Sequence, residues 1–125
     1  MTVSIAIGLV VAGAVGAPAR YLIDGVVEDR ASGLFPWGTF IINVTGSFLL
    51  GLITGAALYH ALPNTPKIWL GTGFCGAYTT FSTFTFETLR LLEEDAPGGA
   101  LGNAAASLVV ATLAAGAGLA LAAAL

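Results

Sequence analysis

The chain has 125 residues, of which 57% are apolar and only 9% charged, with a net charge of −3 and a mean hydropathy of +0.92. A soluble domain carries about a quarter charged residues, so this chain lacks the polar groups to cover a water-facing surface. Its four basic residues form no cluster, which sets aside nucleic acid and a polybasic lipid-binding surface as partners.

The charges are bunched. No Asp, Glu, Lys or Arg falls at 1–19, 31–66, 68–86 or 96–125. A bilayer core needs about 20 apolar helical residues, within a range of about 17 to 25, and each gap is long enough. The expectation is an all-α membrane protein: one integral membrane domain over 1–125, with four transmembrane helices at about 3–23, 36–60, 67–92 and 100–124. Ala17-Pro18-Ala19 has the small residues of a signal-peptide cleavage site, but no Lys or Arg precedes the apolar run, so the segment reads as a retained helix. The single cysteine, Cys75, lies inside an apolar span and has no partner for an internal disulfide.

In chain order, the first helix carries Gly8, Gly13 and Gly16 as small positions for close helix approach and ends near Arg20-Tyr21. Asp24 to Gly33 reads as an exposed loop. The second helix opens at Pro36-Trp37, a first-turn proline beside an interfacial aromatic, and contains the weak packing signal Gly51-x-x-x-Gly55. Pro63-Asn64-Thr65-Pro66 reads as a tight turn. The third span carries Trp69 as an interface anchor, Glu93-Glu94-Asp95 and Pro97-Gly98-Gly99 form the last loop, and an Ala-rich fourth helix follows. Basic residues divide as Arg20, Arg30 and Arg90 on one side against Lys67 on the other, a bias small enough to permit insertion in both orientations.

Chemistry concentrates in the third span, from Gly73-Phe74-Cys75-Gly76 to Phe84-Thr85-Phe86. Glycine costs about 1 kcal/mol against alanine inside a helix and threonine is stiff at its first torsion, so a break near Gly76 at mid-membrane is one reading. Such breaks are tolerated where protein or a water-filled cavity satisfies the freed backbone, and they bind ions or substrates. The other reading is an unbroken helix with a packing glycine and hydroxyls bonded to the preceding turn.

Three helices carry narrow stripes: Thr39, Asn43 and Ser47 on the second, Phe81, Phe84 and Thr88 on the third, Asn103 and Ser107 on the fourth. Ser and Thr stripes serve either as interhelical glue or as a path, and Asn43 favours the path because a buried carboxamide is costly to leave unpaired. Hydroxyl and amide hydrogens and the positive edges of Phe rings suit an anion, and the stripes contain no carboxylate for a cation or proton. Arg20 either draws anions to a mouth or snorkels to the interface. The residues by themselves reach a small anion channel or transporter built from more than one chain.

Gly13-x-x-Gly16-Ala17-x-x-Arg20-Tyr21, then Pro36-x-Gly38-Thr39 with Asn43, Gly46 and Phe48, then Gly73-Phe74-Cys75-Gly76 running into Thr79-Thr80-Phe81-Ser82-Thr83-Phe84, closely resemble the Fluc (CrcB) family of fluoride channels across positions 8 to 112. The third motif is long and specific. The resemblance implies four-helix subunits that pair antiparallel, as a dual-topology homodimer or with a paralogous subunit, in the cell (plasma) membrane. It implies a third helix broken near mid-membrane and a structural Na+ at the dimer centre, held by the backbone carbonyls of Gly76 and Thr79. It further implies two fluoride pores, lined at Asn43, Phe81 and Phe84 with Thr39, Ser82, Thr83 and Ser107 nearby and Arg20 in the vestibule. Passive fluoride export, protective against fluoride toxicity, is the implied function, with no enzymatic activity. Ala77, Tyr78 and Ala111 depart from the family pattern.

Two rival classes stand beside this reading. A small multidrug-type proton-coupled transporter has similar size and dual topology but needs a membrane-embedded carboxylate, and positions 1–23 contain no Asp or Glu. A non-conducting assembly subunit in the membrane would carry no ion.

Overall fold

The computed structural model describes all 125 residues, Met1–Leu125, and the fold is all-helical. Helix α1 spans Val3–Arg30, α2 Trp37–Tyr59 and α3 Asn64–Lys67; a π-helical segment, Ile68–Cys75, leads into α4, Gly76–Tyr78, and α5, Phe81–Glu93; α6 spans Pro97–Ala124. Three of these helices, α1, α2 and α6, are long and apolar enough to cross a membrane. The apolar surface points outward: only 18 of 125 residues are buried, while Val10, Leu101 and Leu108 are each about 70% exposed. Apolar side chains in that position have no solvent partner but lipid, as a multi-pass membrane protein requires.

Each helix end has a local cause. The Thr2 side chain accepts from Ile5 N–H to start α1. The segment Asp24–Arg30, expected as loop, continues α1 instead. Its Gly25 has open space around it and nothing else in the segment breaks helix, so the chain leaves the helical region only at Ala31, which is extended at φ −87°. The last loop is also shorter than expected, because Pro97 occupies the first turn of α6, where its missing N–H costs nothing, and Gly98 and Gly99 lie within the helix. Helix α5 closes through Asp95 in the left-handed region (φ 56°), with Ala96 N–H on Leu91 O at 2.8 Å and Asp95 N–H on Leu92 O at 3.2 Å. That pairing satisfies carbonyls the helix end would leave open.

Packing rests on small residues, as expected where lipid is as apolar as the helices. A Cβ at Gly118 would strike Phe48 O and Leu52 N, and one at Gly51 would strike the backbone of Ala115, so α2 and α6 touch backbone to backbone. Farther along the pair, the Nε2–H of His60 donates to Ala122 O at 2.6 Å. Because Gly51 faces Ala115 and Gly55 faces Ala122, α2 and α6 run in the same direction. On the other side, a Cβ at Gly8 would fall into the Trp69 ring and one at Gly16 against Phe74 O, so α1 runs in the same direction as the π-helical segment.

Gly118→Val forces this backbone contact apart. It is expected to lower stability by about 1–3 kcal/mol, read as an earlier midpoint when the purified protein is unfolded by denaturing detergent.

Candidate functional site

The chain between Lys67 and Glu93 is helical in pieces. Wide turns carry Ile68–Cys75, with Gly76 N–H bonding back to Gly71 O and Gly73 O, and π-type turns of this kind are frequent at functional sites. Gly76 itself is helical (φ −63°, ψ −35°). The extended residues are Thr79 (φ −79°, ψ 161°) and Thr80 (φ −148°, ψ 125°), three and four positions further on.

Two residues of extended backbone leave donors and acceptors that a helix would have paired. The carboxamide of Asn43, on α2, takes both groups of one of them: its Nδ2–H donates to Thr80 O at 2.9 Å, and its Oδ1 accepts from Thr80 N–H at 2.9 Å. One side chain thus acts as a strand partner for Thr80, which is 8% exposed. Thr80 in turn caps α5, its Oγ1 accepting from Thr83 N–H at 3.1 Å and donating to Thr83 Oγ1 at 3.1 Å. Gly46 lets this backbone approach α2, since a Cβ there would strike the Thr79 methyl and meet the Tyr78 ring at 3.1 Å. Tyr78 is buried, stacks on Phe74 at 5.6 Å and hydrogen-bonds through its hydroxyl to Thr45 Oγ1 at 2.9 Å.

A cavity of about 310 Å³ opens beside this junction, lined by Asn43, Gly46, Ser47, Leu50, Gly71, Cys75, Gly76, Thr79, Thr80, Phe81 and Phe84. Asn43, Ser47, Phe81, Phe84, Gly76 and Thr79, all singled out from sequence, therefore line one cavity. The Phe81 and Phe84 rings lie 6.0 Å apart and tilted by 54°, and Phe81 is 80% exposed. Asn43 has two amide hydrogens and gives one to Thr80, which leaves one for the cavity. Thr83 accepts from Thr80, so its own hydroxyl hydrogen is not consumed in that bond. Ser82 Oγ lies 3.4 Å from Thr80 Oγ1. Arg20 reaches from α1 to the same junction, its guanidinium 3.5 Å from Thr79 O.

Thr39 and Ser107 lie elsewhere. The Thr39 hydroxyl donates to Glu87 Oε1 at 2.7 Å. Ser107 donates to Asn103 Oδ1 at 3.3 Å, the fully buried Asn103 donates to Thr88 Oγ1 at 2.9 Å, and Thr88 donates to Phe84 O at 2.7 Å. This relay ends on the backbone of the residue that lines the cavity. A second cavity, about 440 Å³, adjoins Thr83 and is lined by Asp24, Glu28, Glu87, Arg90 and Glu94 among others. Glu28 accepts from Gly38 N–H at 2.9 Å at the start of α2, and a Cβ at Gly38 would strike Asp24. Carboxylates are favoured at that helix end.

Glu28 was not singled out from sequence, Thr80 stood only as one member of the third motif, and Glu87 was weighed only as the carboxylate a proton-coupled transporter would need. Thr80 had a signal, a hydroxyl residue directly before a helical run with its capped N–H three residues on. Glu87 and Glu28 act across long sequence separations that no local pattern announces.

The family described as "CrcB-like protein, Camphor Resistance (CrcB)" matches residues 7–119. A protein of Streptomyces avermitilis named "Fluoride-specific ion channel FluC 1" is 54% identical, covering 89% of this chain and 90% of its own. Proteins of the same name from Frankia casuarinae (50% identical, covering 91% of this chain and 93% of its own) and Leifsonia xyli subsp. xyli (47%, 95% and 87%) are also similar. The names are those of channels, not enzymes.

Removing the Asn43 carboxamide leaves a buried N–H and a buried C=O without partners, at about 1–3 kcal/mol each. Asn43→Ala is therefore expected to speed amide exchange at Thr80 by at least about tenfold, measured by hydrogen–deuterium exchange on the reconstituted protein.

Proposed function

The chain belongs to the CrcB-like family, and from that premise we propose that it is a fluoride channel that exports fluoride passively from the cytoplasm across the plasma membrane. The observation that carries this reading is the convergence of Asn43, Phe81 and Phe84 on one cavity beside the extended Thr79-Thr80 pair. The names of the similar channels supply the ion.

Fluoride is small and strongly hydrated, so a path must replace water with close donors without holding the ion too firmly to release it. The remaining amide hydrogen of Asn43 and the hydroxyl of Thr83 serve as such donors, while the Ser82 hydroxyl donates to Thr80 Oγ1, whose own hydrogen goes to Thr83. The positive edges of Phe81 and Phe84 extend the path where no hydrogen-bond donor stands. Arg20 contributes positive charge at the Thr79 carbonyl, where it favours entry of an anion. Thr39 and Ser107 hold neighbouring side chains in place rather than meet the ion, since each gives its hydroxyl hydrogen to another residue.

The segments from Asn64 to Glu93 are read as one third crossing of the membrane, interrupted at Thr79-Thr80. The shared direction of α2 with α6, and of α1 with the π-helical segment, supports four alternating crossings. The active form is an antiparallel dimer of this chain with two fluoride paths, in line with the small orientation bias of its basic residues.

A structural Na+ at the dimer centre would be held by the carbonyls of Gly76 and Thr79. The donor set fits a hard cation, which takes oxygen ligands. The Gly76 carbonyl lacks its helical donor because Thr80 N–H is bonded to Asn43 instead, and a Cβ at Gly76 would meet nothing within 4 Å. The ion would offset the negative ends of carbonyls gathered there from both subunits.

Liposomes loaded with fluoride and carrying the purified chain test the reading. Efflux is expected when potassium leak is opened by valinomycin, with no proton gradient applied. Absence of efflux, or efflux that requires a proton gradient, would contradict it. Phe81→Ile combined with Phe84→Ile is expected to cut fluoride efflux about tenfold, corresponding to about 1.4 kcal/mol of added barrier, with the dimer intact by size-exclusion chromatography.

A further inference from the structure

The outer face where the end of α1 meets the start of α2 carries a groove of about 380 Å³, lined by Val26, Val27, Ala31, Trp37 and Ile41 with Arg30 at its edge. Its volume lies within the roughly 300–1,000 Å³ of ligand clefts. Its walls are apolar except for one guanidinium. Arg30 is exposed, and its hydrogen bond runs only to Val26 O at 3.3 Å, within its own helix. The one ion pair of the chain joins Arg90 to Glu94, so no carboxylate is in contact with Arg30, although Glu28 and Asp29 share its helical turn.

The groove also has a depth in the membrane. Trp37 packs against Phe35 at 4.6 Å and Phe40 at 5.7 Å, an aromatic cluster where helix gives way to loop. Aromatic clusters in that position sit at the level of the lipid headgroups. Arg30, in the last turn of α1, stands at the same boundary, with N–H groups left over for an anion.

We propose that this groove binds one anionic phospholipid, an acyl chain lying along Val26, Val27, Trp37 and Ile41 and the phosphate meeting the free N–H groups of Arg30. Charge selects the occupant. A zwitterionic lipid offers the same chain but brings its own cation to an unpaired guanidinium, and soluble phosphate offers the charge without the chain. A polybasic surface, which the composition excludes, is not needed, because one arginine and one fitted groove do the selecting. The site needs only that the chain spans a membrane, so it stands or falls separately from fluoride transport.

The chain contains two tryptophans. Trp69 lies at the other end of α1, against Gly8, with an indole N–H that has no partner, so Trp69→Phe removes no hydrogen bond and leaves Trp37 as sole reporter. In phosphatidylcholine vesicles, equal small fractions of chain-brominated phosphatidylglycerol or chain-brominated phosphatidylcholine are compared as quenchers of Trp37. The expected result is an apparent preference for the anionic lipid of about fivefold, the factor one basic residue supplies near an anionic surface, falling to parity in Arg30→Gln. Equal quenching by both lipids, or a preference that survives Arg30→Gln, would overturn the proposal. Loss of the preference on adding millimolar inorganic phosphate would assign Arg30 to the free anion and overturn it as well. Native mass spectrometry of the unaltered chain and of Arg30→Gln, each with phosphatidylglycerol added, reads the same preference without altering Trp69.

Discussion

Backbone that leaves the helix in a protein's interior must find partners within the protein, and here the partners come from one side chain. The Asn43 carboxamide supplies the donor and the acceptor that a neighbouring strand would have supplied to Thr80, at 2.9 Å each. Most of the local arrangement follows from that exchange. Thr80 is held extended and so caps α5, which sets the direction of Phe81 and Phe84. Its N–H is no longer available to Gly76, whose carbonyl is released. Gly46, having no side chain, admits the Tyr78 ring and the Thr79 methyl, and the Tyr78–Thr45 hydrogen bond steadies the turn from the other side.

The same bonds bear on how a chain so poor in charge would offer the proposed path to an anion. Most of its polar hydrogens are already spent: Thr39 on Glu87, Ser107 on Asn103, Asn103 on Thr88. These bonds fix side chains near the junction without adding charge to it. The donors left over, at Asn43 and Thr83, are neutral and few. That suits a proposed path in which moderate binding matters more than tight binding. The carboxylates nearest the junction are occupied at the start of α2, where Glu28 meets Gly38 N–H and Glu87 meets Thr39.

Sequence made α2, α6 and the first part of α1 legible because each needs only a charge-free run and a local end signal. The second helix was readable almost to the residue for that reason, from Pro36-Trp37 to Tyr59. The end of α1 was misread because Asp24, Glu28, Asp29 and Arg30 resemble a loop by charge. In the fold, Glu28 is held against Gly38 ten residues on, and the helix persists to Arg30. The weakness of Gly73–Thr85 as a helix was visible, but its position was not. Glycine propensity pointed to Gly76, whereas the extended pair falls where Asn43 can reach both backbone groups, a fact of the α2 contact and not of local preference. Asn43, Phe81 and Phe84 were singled out from their spacing and the fold brings them to one cavity, whereas Thr80 stood out only as part of a motif because its role lies in its backbone.

The central claim is that Asn43 both holds Thr80 and presents a neutral donor to fluoride. Asn43→Asp weights the two roles differently, because a carboxylate still accepts from Thr80 N–H, loses the donor to Thr80 O and brings negative charge to the path. Fluoride efflux from liposomes and amide exchange at Thr80, measured on one preparation of this variant, test the claim most directly. Thr80 N–H is expected to stay better protected than in Asn43→Ala while efflux collapses. Undiminished efflux with that protection intact would contradict it.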